Sequence, residues 1–124
     1  FAIPETPREV HEALSALLRI RNLVDHHAAV LAGAVERLGI ATKQGRTTRE
    51  LLIVMGCAPA VATRLLRVGV ALAGTPRLAG HTADGTLSGE HADAIARGLS
   101  HVATRAREPL SESQRQTCVT DLLA

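Results

Sequence analysis

Aromatic residues are all but missing from this chain: Phe1 is the only one among 124 residues, with no Trp and no Tyr. That excludes a surface on which unpaired bases stack, because readers of single strands depend on aromatic platforms. It also leaves a core of Leu, Val, Ile and Ala. Ala and Leu are the best helix formers and aromatics enrich strands, so close-packed helices are expected. Lysine is nearly absent too. Lys43 is the only one among 14 basic residues, which with the abundant Ala points to a GC-rich genome and says nothing of mechanism. Two cysteines, Cys57 and Cys118, form neither a disulfide framework nor a metal-ligand pair. Reduced thiols and a cytoplasmic setting are therefore expected. No apolar run approaches the ~20 residues needed to cross a bilayer, and no signal-peptide pattern is present. No membrane partner is expected. A phosphate-cradling glycine loop and a nucleophile elbow are also missing. Neither a cofactor nor a catalytic residue is expected.

What is present is ordinary for a globular domain, with 46% hydrophobic and 21% charged residues. The length suits one domain with a single modest core, so residues 1–124 are read as one helical domain. The chain begins without Met and stops inside an apolar pattern. It is expected to be part of a longer protein.

In chain order, Pro4 and Pro7 predict an extended arm over Phe1 to Glu5. Thr6-Pro7-Arg8-Glu9 is a capping box with Pro at the first helical position. Val10, Leu14, Leu17, Val24, Ala28, Leu31, Val35 and Leu38 then recur at steps of three, four and seven. That is one apolar stripe on a helix of roughly 30 residues. Arg21 interrupts it, while Ala13, Ala16, Ile20, Leu23 and Val30 widen the face. Such a helix is expected to pack against another copy of the chain or a missing C-terminal portion. Gly39 ends it, and 41–46 reads as a polar connector. Thr47-Thr48-Arg49-Glu50 opens a short helix through Met55, stopped by Gly56. Pro59 starts the next, whose buried face is Ala62, Leu65, Leu66, Val68 and Leu72, and Gly74 stops it. Thr75-Pro76 begins a short helix to Ala83, and Asp84-Gly85 is a turn. Ser88 caps a helix with Ala92, Ile95, Ala96, Leu99 and Val102 apolar. Arg105 to Pro109 breaks it. Ser111-Glu112-Ser113-Gln114 caps the last helix, with Cys118, Val119, Leu122 and Leu123 apolar. No strand-period alternation occurs. The fold class is all-α, a bundle of about five or six helices.

Thr47 to Gly74 reads as a helix-turn-helix-like hairpin turning at Gly56. Leu51, Met55, Cys57, Ala62 and Leu65 fall where the two helices would cross, and Ala60, Thr63, Arg64 and Arg67 would face outward. Charge partition marks the same region: net charge is −1 over 1–42, +5 over 43–77 and −2 over 78–124. A basic middle is the footprint of a polyanion partner. DNA contact is expected through Lys43, Arg46, Arg49, Thr63, Arg64, Arg67 and Arg77, against the plainer alternative that these Arg residues merely solvate a bundle.

The six histidines, His11, His26, His27, His81, His91 and His101, do not converge. Adjacent His26 and His27 point to different faces of a helix, and zinc needs three or four convergent ligands. No metal site is expected. Glu90-His91-Ala92-Asp93 sets carboxylates beside an imidazole but supplies no third partner. Cys57 and Cys118 read as small hydrophobes.

Gly85, Leu87, Ser88, His91, Ala92 and Ile95 carry a resemblance that spacing alone does not. With the GCAP turn and the Arg/Leu-rich helix after it, the segment from Thr47 to about Thr104 is similar to the N-terminal domain of the actinobacterial 13E12-repeat family. That is a domain of unknown function often joined to a C-terminal HNH endonuclease module. Cys57-Ala58 departs from the usual Leu-Ser at the turn. The resemblance implies a parent protein of HNH-nuclease type, in mycobacteria or a relative. It carries no catalytic residue onto this chain, because no segment here supplies the His and Asn of an HNH site. The expected function is a non-catalytic, DNA-associated helical module. The alternative is a helical oligomerisation module without DNA contact.

Overall fold

The computed structural model describes residues 2–105 and 110–123. Among them it holds seven helices and no strand: α1 (Pro7–Leu38), α2 (Ile40–Lys43), α3 (Thr48–Val54), α4 (Pro59–Gly74), α5 (Pro76–Ala83), α6 (Gly89–Arg105) and α7 (Glu112–Leu123). The connector expected at 41–46 contains one helical turn, α2, which is the helix beyond the expected six. Of the break expected at Arg105 to Pro109, residues 106–109 lie outside the described residues, as do Phe1 and Ala124.

The helix starts follow the caps. Thr6 Oγ1 accepts the Glu9 N–H at 3.3 Å. At α3 both halves of the capping box form: Thr47 Oγ1 takes the Glu50 N–H at 3.1 Å, and Glu50 takes the Thr47 N–H at 3.3 Å. At α7 the same exchange runs between Ser111 and Gln114. The stops after α1 and α3 use left-handed backbone, which glycine adopts without a Cβ clash, whereas α4 ends at Gly74 without it. After α3, Gly56 has φ of 109°. Its N–H bonds the Ile53 carbonyl, and the Cys57 N–H reaches back to Leu52. This pair of reverse bonds satisfies two orphan carbonyls and seats Cys57 beside Leu52.

α4 is the hub, packing against α1, α3, α5 and α6, while α7 closes against α5 and α6. Ala62, Leu65, Val68 and Leu72 of α4 meet Leu52, Leu78, Ala92, Ile95, Leu99 and Val119 in one cluster. Burial of each large aliphatic side chain contributes about 1.5–3 kcal/mol. The buried face expected for α4 is observed, with Leu66 half-buried.

α1 joins this core differently from its sequence pattern. Its only buried residues are Ala29 and Ala32. Beside them Gly33 meets Gly69 of α4 backbone to backbone: a Cβ built on Gly69 would lie 2.4 Å from the Ala29 carbonyl oxygen. The two helices approach this closely because small residues line the crossing. The large apolar residues of the stripe consequently face away from α4. Register in α3 also differs from expectation. Thr48 and Leu52 are buried, whereas Met55 is 73% exposed. Met55 is the last residue before the reversal at Gly56, so its side chain projects beyond the crossing.

Candidate functional site

The basic residues of the middle segment divide into two groups. Arg64 faces inward, a correction to the outward placement expected for it, while Arg67 is half-buried at the edge of a cleft and paired with α6. Arg64 lies between α1 and α6, 3.2 Å from Asp25 and 3.1 Å from Glu90, with only 16% of its side chain exposed. Arg67 places one nitrogen on both oxygens of Asp93, at 2.9 and 3.1 Å. Arg21 adds a 2.6 Å contact to Glu90, and Arg97 approaches Asp93 at 3.6 Å. The result is an ion-pair network tying α1, α4 and α6 together. The Glu90 carboxyl is held below the usual carboxylate range by its own backbone N–H, with Arg21 and Arg64 adding to it. Asp25 has one oxygen on Arg64, while the other is buried beside Gly89 without a hydrogen-bond partner among the described residues.

Thr63 is also occupied. It accepts the Arg49 Nε–H at 2.9 Å and donates to the Pro59 carbonyl at 3.1 Å. Lys43, Arg46, Arg49 and Arg77 are exposed. Among the described residues none of these four meets a carboxylate. Lys43 belongs to α2, Arg46 to the α2–α3 connection and Arg49 to α3. Arg77 stands on α5, which touches neither α2 nor α3.

Among the described residues no three His, Cys, Asp or Glu side chains converge as metal ligands. His26 Nδ1 lies 2.8 Å from Thr82 Oγ1, and its ring meets that of His27 edge-on. Burial, then the neighbouring His27, pushes the His26 imidazole below its ordinary value. The motif from Gly85 to Ile95 resolves into structural parts. Gly85 turns with φ of 77°, Ser88 Oγ accepts the His91 N–H at 3.0 Å, and Leu87, Ala92 and Ile95 are buried. His91 itself is exposed. Cys57 and Cys118 pack against the core cluster.

A second feature spans α1. Val10, Leu14, Leu17, Ile20, Val24, Leu31 and Leu38 are between 43 and 65% exposed. Steps of seven drift by only about 20° on an α-helix. Val10, Leu17, Val24, Leu31 and Leu38 therefore form one line, on the side of α1 away from Ala29 and Gly33. Arg21, the charge that interrupts the neighbouring row between Leu14 and Ala28, is drawn aside to Glu90. Two clefts flank the exposed Val70 of α4. One, of about 790 Å³, runs between α4 and α6 towards α3 and α7; the other, of about 690 Å³, lies between α1, α4 and α5.

No helix among the described residues is long and apolar enough to cross a membrane. No family model, curated protein or solved structure matches this chain.

Spacing along the chain could not reveal Asp25, Glu90 and Asp93 as the partners of Arg64 and Arg67, since 26 to 39 residues separate them. Gly33 and Gly69 did leave a signal. Each is a glycine inside a helical pattern with no capping role, and such a glycine often marks a close backbone approach.

Proposed function

We propose that this chain is a non-catalytic helical assembly module whose α1 docks against α1 of a second copy. The observation that carries the reading is the outward apolar line on α1. It runs about 42 Å from Val10 to Leu38 at the usual helical rise. Its five half-exposed side chains, with Leu14 and Ile20 beside them, offer on the order of 700 Å², more than the largest apolar patch of a typical monomer and close to one partner's share of a standard interface. A second α1 is the fitting occupant, because no other described helix has this length and seven-residue period. A two-fold pairing would make the line self-complementary. The displacement of Arg21 towards Glu90 leaves the line free of an unpaired charge.

Sedimentation equilibrium over a range of concentrations tests this. The wild-type chain should weigh as a dimer. A Leu17→Gln/Val24→Gln/Leu31→Gln variant should weigh as a monomer with an unchanged far-ultraviolet circular dichroism spectrum, since all three side chains are exposed. A wild type that stays monomeric at ~100 μM, or a dimer indifferent to the triple variant, defeats the proposal.

A second reading is DNA contact, favoured by the lack of carboxylate partners at Lys43, Arg46, Arg49 and Arg77 among the described residues. In this reading Arg64, Arg67 and Thr63 hold the fold and do not touch the nucleic acid. Binding should weaken steeply with salt, and a Lys43→Gln/Arg46→Gln variant should reduce the salt slope by about two counterions. No binding at low salt excludes it. Either role suits a non-catalytic part of an HNH-nuclease-like protein of the 13E12-repeat type, the parent that the Gly85 to Ile95 motif implies.

A further inference from the structure

We propose that the cleft between α4 and α6 is a binding site for a small amphipathic anion, with its carboxylate on Arg115 and its apolar body lying along α4. The cleft, of about 790 Å³, falls in the range that buries a small organic ligand. Its wall is mainly apolar, with Leu66, Val70, Ala71 and Leu99 exposing hydrocarbon to it. Three guanidinium groups also line it, those of Arg49, Arg67 and Arg115.

These three are not equivalent. Arg67 is already spent on Asp93. Arg49 and Arg115 have no carboxylate partner among the described residues, and they mark opposite ends. Arg49 is bonded to Thr63, while the Arg115 guanidinium packs over Gly74, 3.5 Å from where a Cβ would stand. Eleven helical steps separate Thr63 from Gly74, about 16 Å along α4. At the Arg49 end the wall includes Glu36, which accepts a hydrogen bond from Thr48. That carboxylate offsets Arg49 and repels a second anion. Among the described residues no carboxylate lines the Arg115 end.

Thr75 supplies an independent sign at the same end. It lines the cleft one residue beyond Gly74 and is only 1% exposed, yet its hydroxyl has no hydrogen-bond partner among the described residues. Leaving a buried hydroxyl unpaired is unfavourable, because its water hydrogen bonds are lost without replacement. An anionic acceptor seated on Arg115 pairs that guanidinium, and it reaches the buried Thr75 hydroxyl as the wall gives way on binding. A guanidinium fork matches a carboxylate in geometry, and the apolar wall between the two ends takes an alkyl body. The inferred class is therefore an alkyl or aryl monocarboxylate; a dianion would meet Glu36.

The test is titration of the isotopically labelled chain with octanoate, octanol and octylammonium, read by amide chemical shifts. Octanoate should produce saturable shifts on α4, α6 and α7. Octanol should bind about tenfold more weakly, and octylammonium should leave those amides unmoved. Arg115→Gln, at an exposed position, should raise the octanoate Kd about tenfold, the loss expected for a charge-assisted hydrogen bond. Thr75→Val keeps the side-chain shape and should raise it several-fold, while Arg8→Gln should not change it. The proposal is overturned if octanoate produces no saturable shift, if octylammonium binds as well, or if Arg115→Gln retains the wild-type Kd.

Discussion

Gly69→Ala puts the α1–α4 crossing to its sharpest test, because helix propensity and packing pull in opposite directions there. Inside a helix, Ala is ordinarily better than Gly by about 1 kcal/mol. The Cβ added at Gly69, however, would stand 2.4 Å from the Ala29 carbonyl oxygen and 3.0 Å from the Gly33 nitrogen. Both are backbone atoms, so no side chain can rotate out of the way. To restore ordinary contact, α1 and α4 must separate by roughly 0.5–1 Å, a gap that forfeits a quarter to a half of each dispersion contact across it. With a few dozen contacts of ~0.15 kcal/mol at the crossing, the loss is about 1.5–3 kcal/mol before the propensity gain and about 0.5–2 kcal/mol after it. The melting temperature should fall by about 2–8 °C for a chain of this size. Gly80→Ala is the matched control. Gly80 lies within α5, and its added Cβ meets nothing within 4 Å. It should stabilise by about 0.5–1 kcal/mol. Thermal and urea unfolding at one fixed protein concentration compare the two, since dimerisation would shift both midpoints. If Gly69→Ala melts at or above wild type, the helices do not approach as described and the account of α1 docking fails with it.

Further expectations follow from the ion pairs and the histidine. Arg64→Met should cost about 2–4 kcal/mol in urea unfolding, because it strands the carboxylate of Asp25, whose side chain is 18% exposed; Arg8→Ala, which breaks an exposed pair with Glu12, should stay within ~0.5 kcal/mol. A DNA-binding defect in an Arg64 variant would therefore need a folding control before it counted as lost contact. The His26 imidazole is pushed below its ordinary 6.5, so its neutral form is the one the fold favours. Its contribution is complete above pH 6.5 and is lost as the pH falls from there through the depressed value. Melting temperature should drop below pH 6.5, and His26→Gln should flatten that part of the profile; an identical slope in the variant would remove His26 as the cause.

The elements themselves were legible because their signals are local. Thr6, Thr47, Ser88 and Ser111 each bond a backbone N–H three residues on, and Gly39, Gly56 and Gly85 reverse the chain in left-handed backbone. The same locality explains what was misplaced. The outward assignment of Arg64 and Arg67 followed from their positions on one short helix. Nothing within that helix indicates that Asp25, Glu90 and Asp93 would fold against it. Met55 is apolar and reads as a crossing residue, though its position at the turn carries it into solvent.

Alone, the sequence determined an all-helical chain, the caps that bound its helices, and the existence of a long apolar line on the first of them. These depend on propensities and hydrogen bonds reaching no further than a few residues. Only the tertiary structure decided which face of α1 meets the core. Gly33 and Gly69 let two backbones come within contact, a closer fit than the large side chains of the apolar line allow. That choice turns the line outward, and with it the surface left for a partner.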